Sequence, residues 1–290
     1  MYAIIALLFL SPIWASPLGR PADELIPTID ASAKASPTPA DYQWSSGWTA
    51  TIPIHESCNS SFRAQINQGL DEMVQLSEHA RNHLLRWGHK STFTQRYFGN
   101  GSTAHAIGWY DRIILADKSD MLFRCDDPDS NCDIHKGISA LREHNWGSYW
   151  RPNATAEVNV CPFATEYRLL SSVCNLGHTV AGSGLELFWA TDLMHRLFHA
   201  PIVNEDIVNH FSDDYSGLLE LAKTEPEKSG IDMDALQYFA IDVWAHDVAA
   251  PGVGCTGKPP PKKSPAESVS GSPATATATA ASSVSETLVN

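Results

Sequence analysis

Phe62, Ile66, Leu70, Met73, Ala80, Leu84 and Trp87 fall three, four or seven residues apart. That spacing gathers apolar side chains on one face of an α-helix and predicts a long amphipathic helix here. A second helical pattern runs from Gly184 to Ala200. It is apolar on most sides, as a buried helix is, and Pro201 should stop it. Leu218 to Lys223 begins a third helix, and Asp234 to Val248 makes a fourth. In the fourth, Leu236, Phe239, Val243 and Trp244 form one stripe, and Pro251-Gly252 marks its end. The stretch from about 105 to 165 reads differently, as short β-like pieces such as Arg112-Ile113-Ile114-Leu115 and Glu157-Val158-Asn159-Val160 joined by loops. The expected fold class is α+β, a helix-rich single domain with a small sheet.

The two ends of the chain lack such periodicity. Tyr2 to Trp14 is an apolar run followed by small residues, read as a secretory signal peptide over residues 1–15. Residues 16–45 are rich in Pro, Ala and Ser and read as a flexible segment. Residues 257–290 form a Pro/Ser/Thr/Ala-rich tail with almost no large apolar side chain, expected to be disordered and O-glycosylated. The folded domain is therefore placed at 46–256, long enough for a substantial core. No segment after the leader approaches a membrane span of roughly 18 apolar residues, and a GPI-type hydrophobic tail is not expected.

Composition narrows the function. The formal net charge is −13, which repels nucleic acid and anionic membranes and is mildly favourable for gathering cations. The cysteines number six: Cys58, Cys125, Cys132, Cys161, Cys174 and Cys255. An even count without a C-x-x-C pair fits three disulfides in an extracellular protein better than a zinc–thiolate site. Spacing alone leaves their pairing open. Sequons at Asn59, Asn100 and Asn153 suit a glycosylated surface. Secretion, with an extracellular or cell-wall location, is the expectation.

The chemistry concentrates in His195-Arg196-Leu197-Phe198-His199. Two imidazoles four residues apart on a helix can face one Zn²⁺. In the H-E-x-x-H version of this motif the second residue is a glutamate that accepts a proton from zinc-bound water. Here it is Arg196, which stays cationic and cannot be a base. A third ligand should follow beyond Pro201. His210 is the first choice because imidazole is the better zinc donor, with Asp213 and Asp214 in reserve. An accidental pair of histidines is the competing explanation, which the downstream ligand makes weaker. His79 and His83 form a second i, i+4 pair at the flank of the first helix's apolar stripe. Without an obvious third ligand they read as half-exposed side chains first and additional metal ligands second. Asp242 and His246 are also i, i+4. They read as a hydrogen-bonded pair, with the alternative that Asp242 accepts from a ligand imidazole. Trp146, Tyr149 and Trp150 read as a packed loop rather than a carbohydrate surface. G-x-S-x-G, a phosphate loop and a dinucleotide fingerprint are all missing.

Several segments together resemble a known family. Cys161-Pro162, Cys174 and the run Thr191 to Pro201 look like the deuterolysin-type aspzincin metalloproteases with the catalytic glutamate replaced. The closer resemblance is to the fungal H-R-x-x-H putative peptidase family, which includes pH-regulated antigens, a major Aspergillus allergen and zinc-scavenging zincophores. Asp206 to Tyr215, Ala235 to Ala240, Val248 to Cys255 and His79 to His83 fit it as well, so the likeness spans about 50 to 256. The resemblance implies a zincin-like fold and pairing of Cys58 with Cys125, Cys132 with Cys161 and Cys174 with Cys255. In aspzincins the third ligand is an aspartate eleven residues after the second histidine, the position held here by His210. Two departures matter: Arg196 replaces the base, and the tail after Cys255 lacks the histidines of some zincophores.

The functional expectation is a secreted protein that captures Zn²⁺ and passes it to a cell-surface zinc transporter, with host proteins as further partners. One alternative is a working zinc metallopeptidase drawing its base from Asp213, Asp214 or Glu205. The other is a zinc-independent adhesin or immune-ligand module.

Overall fold

The computed structural model describes residues 42–134, 147–212 and 214–259. The expected leader (1–15), nearly all of the 16–45 segment, nearly all of the expected tail, Trp146 and Asp213 lie outside the described residues. Among the described residues no helix is long and apolar enough to cross a membrane.

Nine α-helices and three strands are formed among the described residues. Helix α1 (Ser60–Trp87) is the long amphipathic one. Asn59 caps it, its side-chain oxygen accepting the Phe62 amide at 2.9 Å and so satisfying one of the unpaired donors of the first turn. Its buried stripe holds Phe62, Ile66, Met73, Leu76, Ala80 and Leu84, while Trp87 ends the helix exposed. Helices α2 (Thr92–Phe98) and α3 (Thr103–Leu115) follow, capped by Ser91 and Ser102. The expected strand at 112–115 is in fact the last turn of α3. Consecutive aliphatic residues there look like a strand, but Ala106, Trp109, Tyr110, Ile113 and Ile114 repeat at helical spacing and bury one face.

Strand β1 (Leu122–Arg124) leads through α4 (Asn131–Ile134) to β2 (Ser148–Trp150) and β3 (Glu157–Val160). The order is β1-β3-β2, with β1 parallel and β2 antiparallel to β3. Trp150 pairs with Val158 and Ser148 with Val160. This register sets both β2 residues against the next helix.

Helix α5 (Trp189–His199) starts later than expected, because Leu185–Leu187 is a 3₁₀ turn and Phe188 is extended, bridging Arg168. It is nearly all buried. It packs on α1, α9 and β2. A Cβ on Gly69 would come within 2.9 Å of the Trp189 Cβ, so glycine is what lets α1 and α5 approach this closely. Pro201 ends α5 and opens α6 (Pro201–Asn204); α7 (Tyr215–Thr224) and α8 (Pro226–Ser229) follow. Helix α9 (Met233–Trp244), capped by Asp232, passes into a π-helical turn, Ala245–Ala249.

Disulfides join Cys58 to Cys125, Cys132 to Cys161 and Cys174 to Cys255, the pairing the resemblance implied. The third clamps the segment after α9 to the loops that lead into α5. Asn59, Asn100 and Asn153 are all exposed.

Candidate metal centre

His195 and His199 lie one turn apart at the C-terminal end of α5, and the chain returns after α6 to bring His210 against both. Ring centroids are 4.8 Å apart for His195 and His199, 5.1 Å for His195 and His210, and 5.3 Å for His199 and His210. The Nε2 atoms of His195 and His199 are 3.1 Å apart, and one donor nitrogen from each of the three rings lies within 4.8 Å of the others. Two Zn–N bonds of about 2.0–2.1 Å at a tetrahedral angle place nitrogens roughly 3.3–3.4 Å apart. The His195–His199 spacing is close to that value, and His210 lies near enough for the three rings to converge on one zinc-sized cation, with a fourth position left for water or another ligand.

Each ring is oriented by a neighbour. His195 Nδ1 donates to Gln237 Oε1 at 3.0 Å, and Gln237 Nε2 donates to the Thr191 carbonyl at 2.7 Å. The second bond fixes which end of the amide faces the imidazole, so Nε2 of His195 keeps its lone pair. Trp150 stacks on His199, with centroids 5.8 Å apart and planes at 17°. Trp150 lies on strand β2 and not in the loop expected from the sequence, and it forms one wall of the trio. His210 Nδ1 faces Asp234 Oδ1 at 3.7 Å, an ion-pair distance longer than a hydrogen bond.

The surroundings tune the three rings in different directions. Burial, then the Arg196 charge, then the other two histidines hold His195 well below its usual value. Burial, Arg196 and His210 bring His199 down to about 4. The Asp234 carboxylate raises His210. Two rings are thus kept neutral, the form that binds metal, and the third is the one that protons contest.

Arg196 faces the sheet. Its Nε donates to Ser148 Oγ at 2.9 Å and its Nη2 to Asp192 Oδ1 at 3.1 Å. The Ser148 hydroxyl also donates to Asp192 Oδ2, and Tyr167 donates to Asp192 Oδ1 at 3.2 Å. Arg196, Asp192 and Ser148 are all buried. The residue in the base position is thus part of a polar network that ties α5 to β2.

The remaining carboxylates singled out in the sequence are occupied elsewhere where they are described. Asp214 caps α7, accepting the Gly217 amide at 2.6 Å. Glu205 pairs with Arg112 at 2.7 Å. Asp242 does not serve a ligand imidazole: it accepts from Arg96 at 2.7 Å, Tyr97 at 2.9 Å and Thr256 at 2.7 Å. Nor does it pair with His246, which turns to Asp247. The acceptor role at His195 belongs to Gln237, and the sequence carries a signal for it. Gln237 is a lone amide among Met233, Leu236, Ala240 and Ile241 on a buried helix face, and it is fully buried. Asp234 and Glu186 also escape sequence reasoning, because neither belongs to a recognisable spacing. Glu186 keeps solvent contact, yet the protein around its carboxyl and the nearby Asp192 and Asp234 charges raise its pKa, partly offset by Arg196.

Comparison with known proteins places the chain in a family. The model of the HRXXH family, described as "Putative peptidase family", matches residues 5–258. The chain belongs to the HRXXH family. Among similar proteins is the "Major allergen Asp f 2" of Aspergillus fumigatus, 45% identical over 83% of this chain and 77% of its own length. The "pH-regulated antigen PRA1" of Candida albicans is 38% identical over 79% of this chain and 74% of its own length. A solved zinc peptidase from Grifola frondosa aligns at 15% identity with a TM-score of 0.44, covering 64% of this chain and 97% of that one. That last likeness is slight. The letters of the HRXXH name match residues 195–199, which supply the first two rings of the histidine trio.

Proposed function

We propose that this HRXXH protein is a secreted zinc-binding protein that takes up Zn²⁺ as cargo and releases it to a cell-surface acceptor. The observation that carries the reading is the convergence of His195, His199 and His210 without a carboxylate base in the H-x-x-x-H frame. A neutral three-nitrogen set suits a borderline cation such as zinc, and an open fourth position permits ligand exchange with a partner. Arg196 cannot take a proton from metal-bound water, and its bonds to Asp192 and Ser148 hold it in a structural role. Binding therefore accounts for the site better than hydrolysis does.

The antigen and allergen names of the relatives suit a protein displayed outside the cell. The three disulfides fit the same compartment. The test is calorimetric titration of the metal-free protein with Zn²⁺ at pH 7.5 and pH 5. The reading expects binding at the higher pH that weakens sharply at the lower and is lost in His195→Ala. Absence of binding at pH 7.5 would refute it, as would equal binding at both.

A further inference from the structure

The two ends of α1 differ in character. Near its C-terminal end His79 and His83 hydrogen-bond to Asp247 at 3.1 and 2.8 Å. Its N-terminus instead borders a cleft of about 280 Å³ that shares no residue with the histidine trio. Asn59, Ser61, Phe62 and Gln65 line the α1 side, and Pro162 and Thr165 line the other, on the 3₁₀ turn Pro162–Glu166. No charged side chain lines it among the described residues. The Phe62 ring is held edge-on against Trp189, with centroids 6.1 Å apart, and the Cys132–Cys161 disulfide ties down the start of the turn. Both walls are therefore fixed before any ligand arrives.

One atom in the cleft asks for a ligand. Gln65 Oε1 is buried and has no hydrogen-bond partner among the described residues. A buried carbonyl oxygen without a donor is destabilising, so a group bearing N–H or O–H is favoured there. Thr165 Oγ1 donates to the Pro162 carbonyl at 2.9 Å, which leaves its lone pairs able to accept. Phe62 and Pro162 add apolar surface. Neutral polar groups beside an apolar wall suit a sugar ring better than an ion. The volume is just under the roughly 300 Å³ at which small-molecule sites begin, so it takes a single ring and not an oligosaccharide.

We propose that this cleft is a saccharide site filled by the chain's own modification: the first N-acetylglucosamine of a glycan on Asn59 docks against Gln65, Phe62 and Thr165. Asn59-Ser60-Ser61 is a sequon, and its asparagine lines the cleft. Capping and glycosylation use different atoms of that side chain. Oδ1 accepts the Phe62 amide at 2.9 Å, while Nδ2 is the atom a glycan takes. The cap thus holds the amide plane and sets the direction in which the sugar leaves. In the transfer, Nδ2 bonds to sugar C1 of a lipid diphosphate-linked donor. The C1–O bond breaks, the diphosphate leaves with the electron pair, and one amide proton is released. N-acetylglucosamine brings N–H and O–H donors for Gln65 Oε1 and an apolar ring face for Phe62. Asn100 and Asn153 line no part of the cleft, so sugars there have no such seat. The inference rests on secretion, one half of the proposed function, and not on zinc.

The test uses the full chain secreted from a eukaryotic host and digested, still folded, with a peptide N-glycosidase. Mass spectrometry follows glycan release site by site. Release from Asn59 is expected to be roughly three- to tenfold slower than from Asn100 or Asn153, the protection that one hydrogen bond of ordinary strength gives. Gln65→Ala, with an unchanged circular dichroism spectrum, should remove that lag while Asn59 stays occupied. Melting supplies a second readout. Ser61→Ala abolishes the sequon but keeps the Asn59 cap, and it should melt below Ser61→Thr, which keeps both. An unmodified Asn59 in the secreted chain would overturn the inference, as would a lag that survives Gln65→Ala or equal melting of the two Ser61 variants. Unprotected Asn59 glycan combined with uptake of free N-acetylglucosamine by Asn59→Asp would give the cleft to an outside sugar and also overturn it. Failure here is separable from failure of the proposed function. A secreted chain that binds zinc but shows no lag at Asn59 loses only this site. A chain retained inside the cell, or one that shows the lag but binds no zinc, counts against the proposed function.

Discussion

His195 Nδ1 donates to Gln237 Oε1 at 3.0 Å, and this one bond across from α5 to α9 sets the tautomer of the central imidazole. Gln237 is itself locked by the Thr191 carbonyl. Removing such a partner usually costs about 10–100-fold in metal affinity. Gln237→Leu is therefore expected to weaken zinc binding by that factor, measured by competition with a chromophoric chelator. Unchanged affinity in a folded variant would show that Gln237 serves packing alone.

The pH dependence should follow His210. His199 lies near 4 and His195 is also depressed, so neither takes up a proton around neutrality. His210 is raised above 6.5 by Asp234, so as pH falls through its raised value zinc must displace a proton and apparent affinity drops. The expected midpoint lies above pH 6.5 and moves lower in Asp234→Asn. Zinc dissociation constants measured from pH 5 to 8 decide this; a midpoint near 4 would assign the control to His199 instead.

Arg196 should matter more for stability than for metal affinity. Its side chain and that of Asp192 are 7% and 0% exposed, and breaking a buried pair by removing one partner costs about 3–5 kcal/mol. Arg196→Ala is expected to lower the melting temperature accordingly, and Asp192→Asn in the same chain to recover part of the loss. A double-mutant cycle by calorimetry would detect the coupling, and additive effects would exclude it.

Gly69 is a further sensitive point. Its missing Cβ is what allows Trp189 to pack on α1. Overfilling a close contact typically costs about 1–3 kcal/mol. Gly69→Leu should therefore destabilise the fold and, by displacing α5, weaken zinc binding as well. Chemical denaturation alongside zinc titration tests both effects.

The helices with long apolar stripes are readable from the chain because burial imposes its period on the sequence. Phe62, Ile66, Met73 and Leu84 show it in α1, and Leu236, Phe239 and Val243 in α9. Residues 112–115 mislead because four residues are too few to separate a strand from one face of a helix. The π turn at Ala245–Ala249 leaves no periodic trace, and with it the meeting of Asp247 with His79 and His83 stays hidden.

The sequence by itself determined the helix-rich class and the i, i+4 presentation of His195 and His199, since both rest on local spacing along one helix. It also determined the loss of the base at Arg196, because residue identity alone sets that chemistry. Which side chains surround the rings was decided only by tertiary structure. Gln237 lies 42 residues along the chain from His195, and Asp234 and Trp150 sit on other elements than the rings they face. No local pattern links residues that far apart. Packing of α5 against α9 and β2 brings them together, because burying those apolar faces is what fixes the distances between the helices and the sheet.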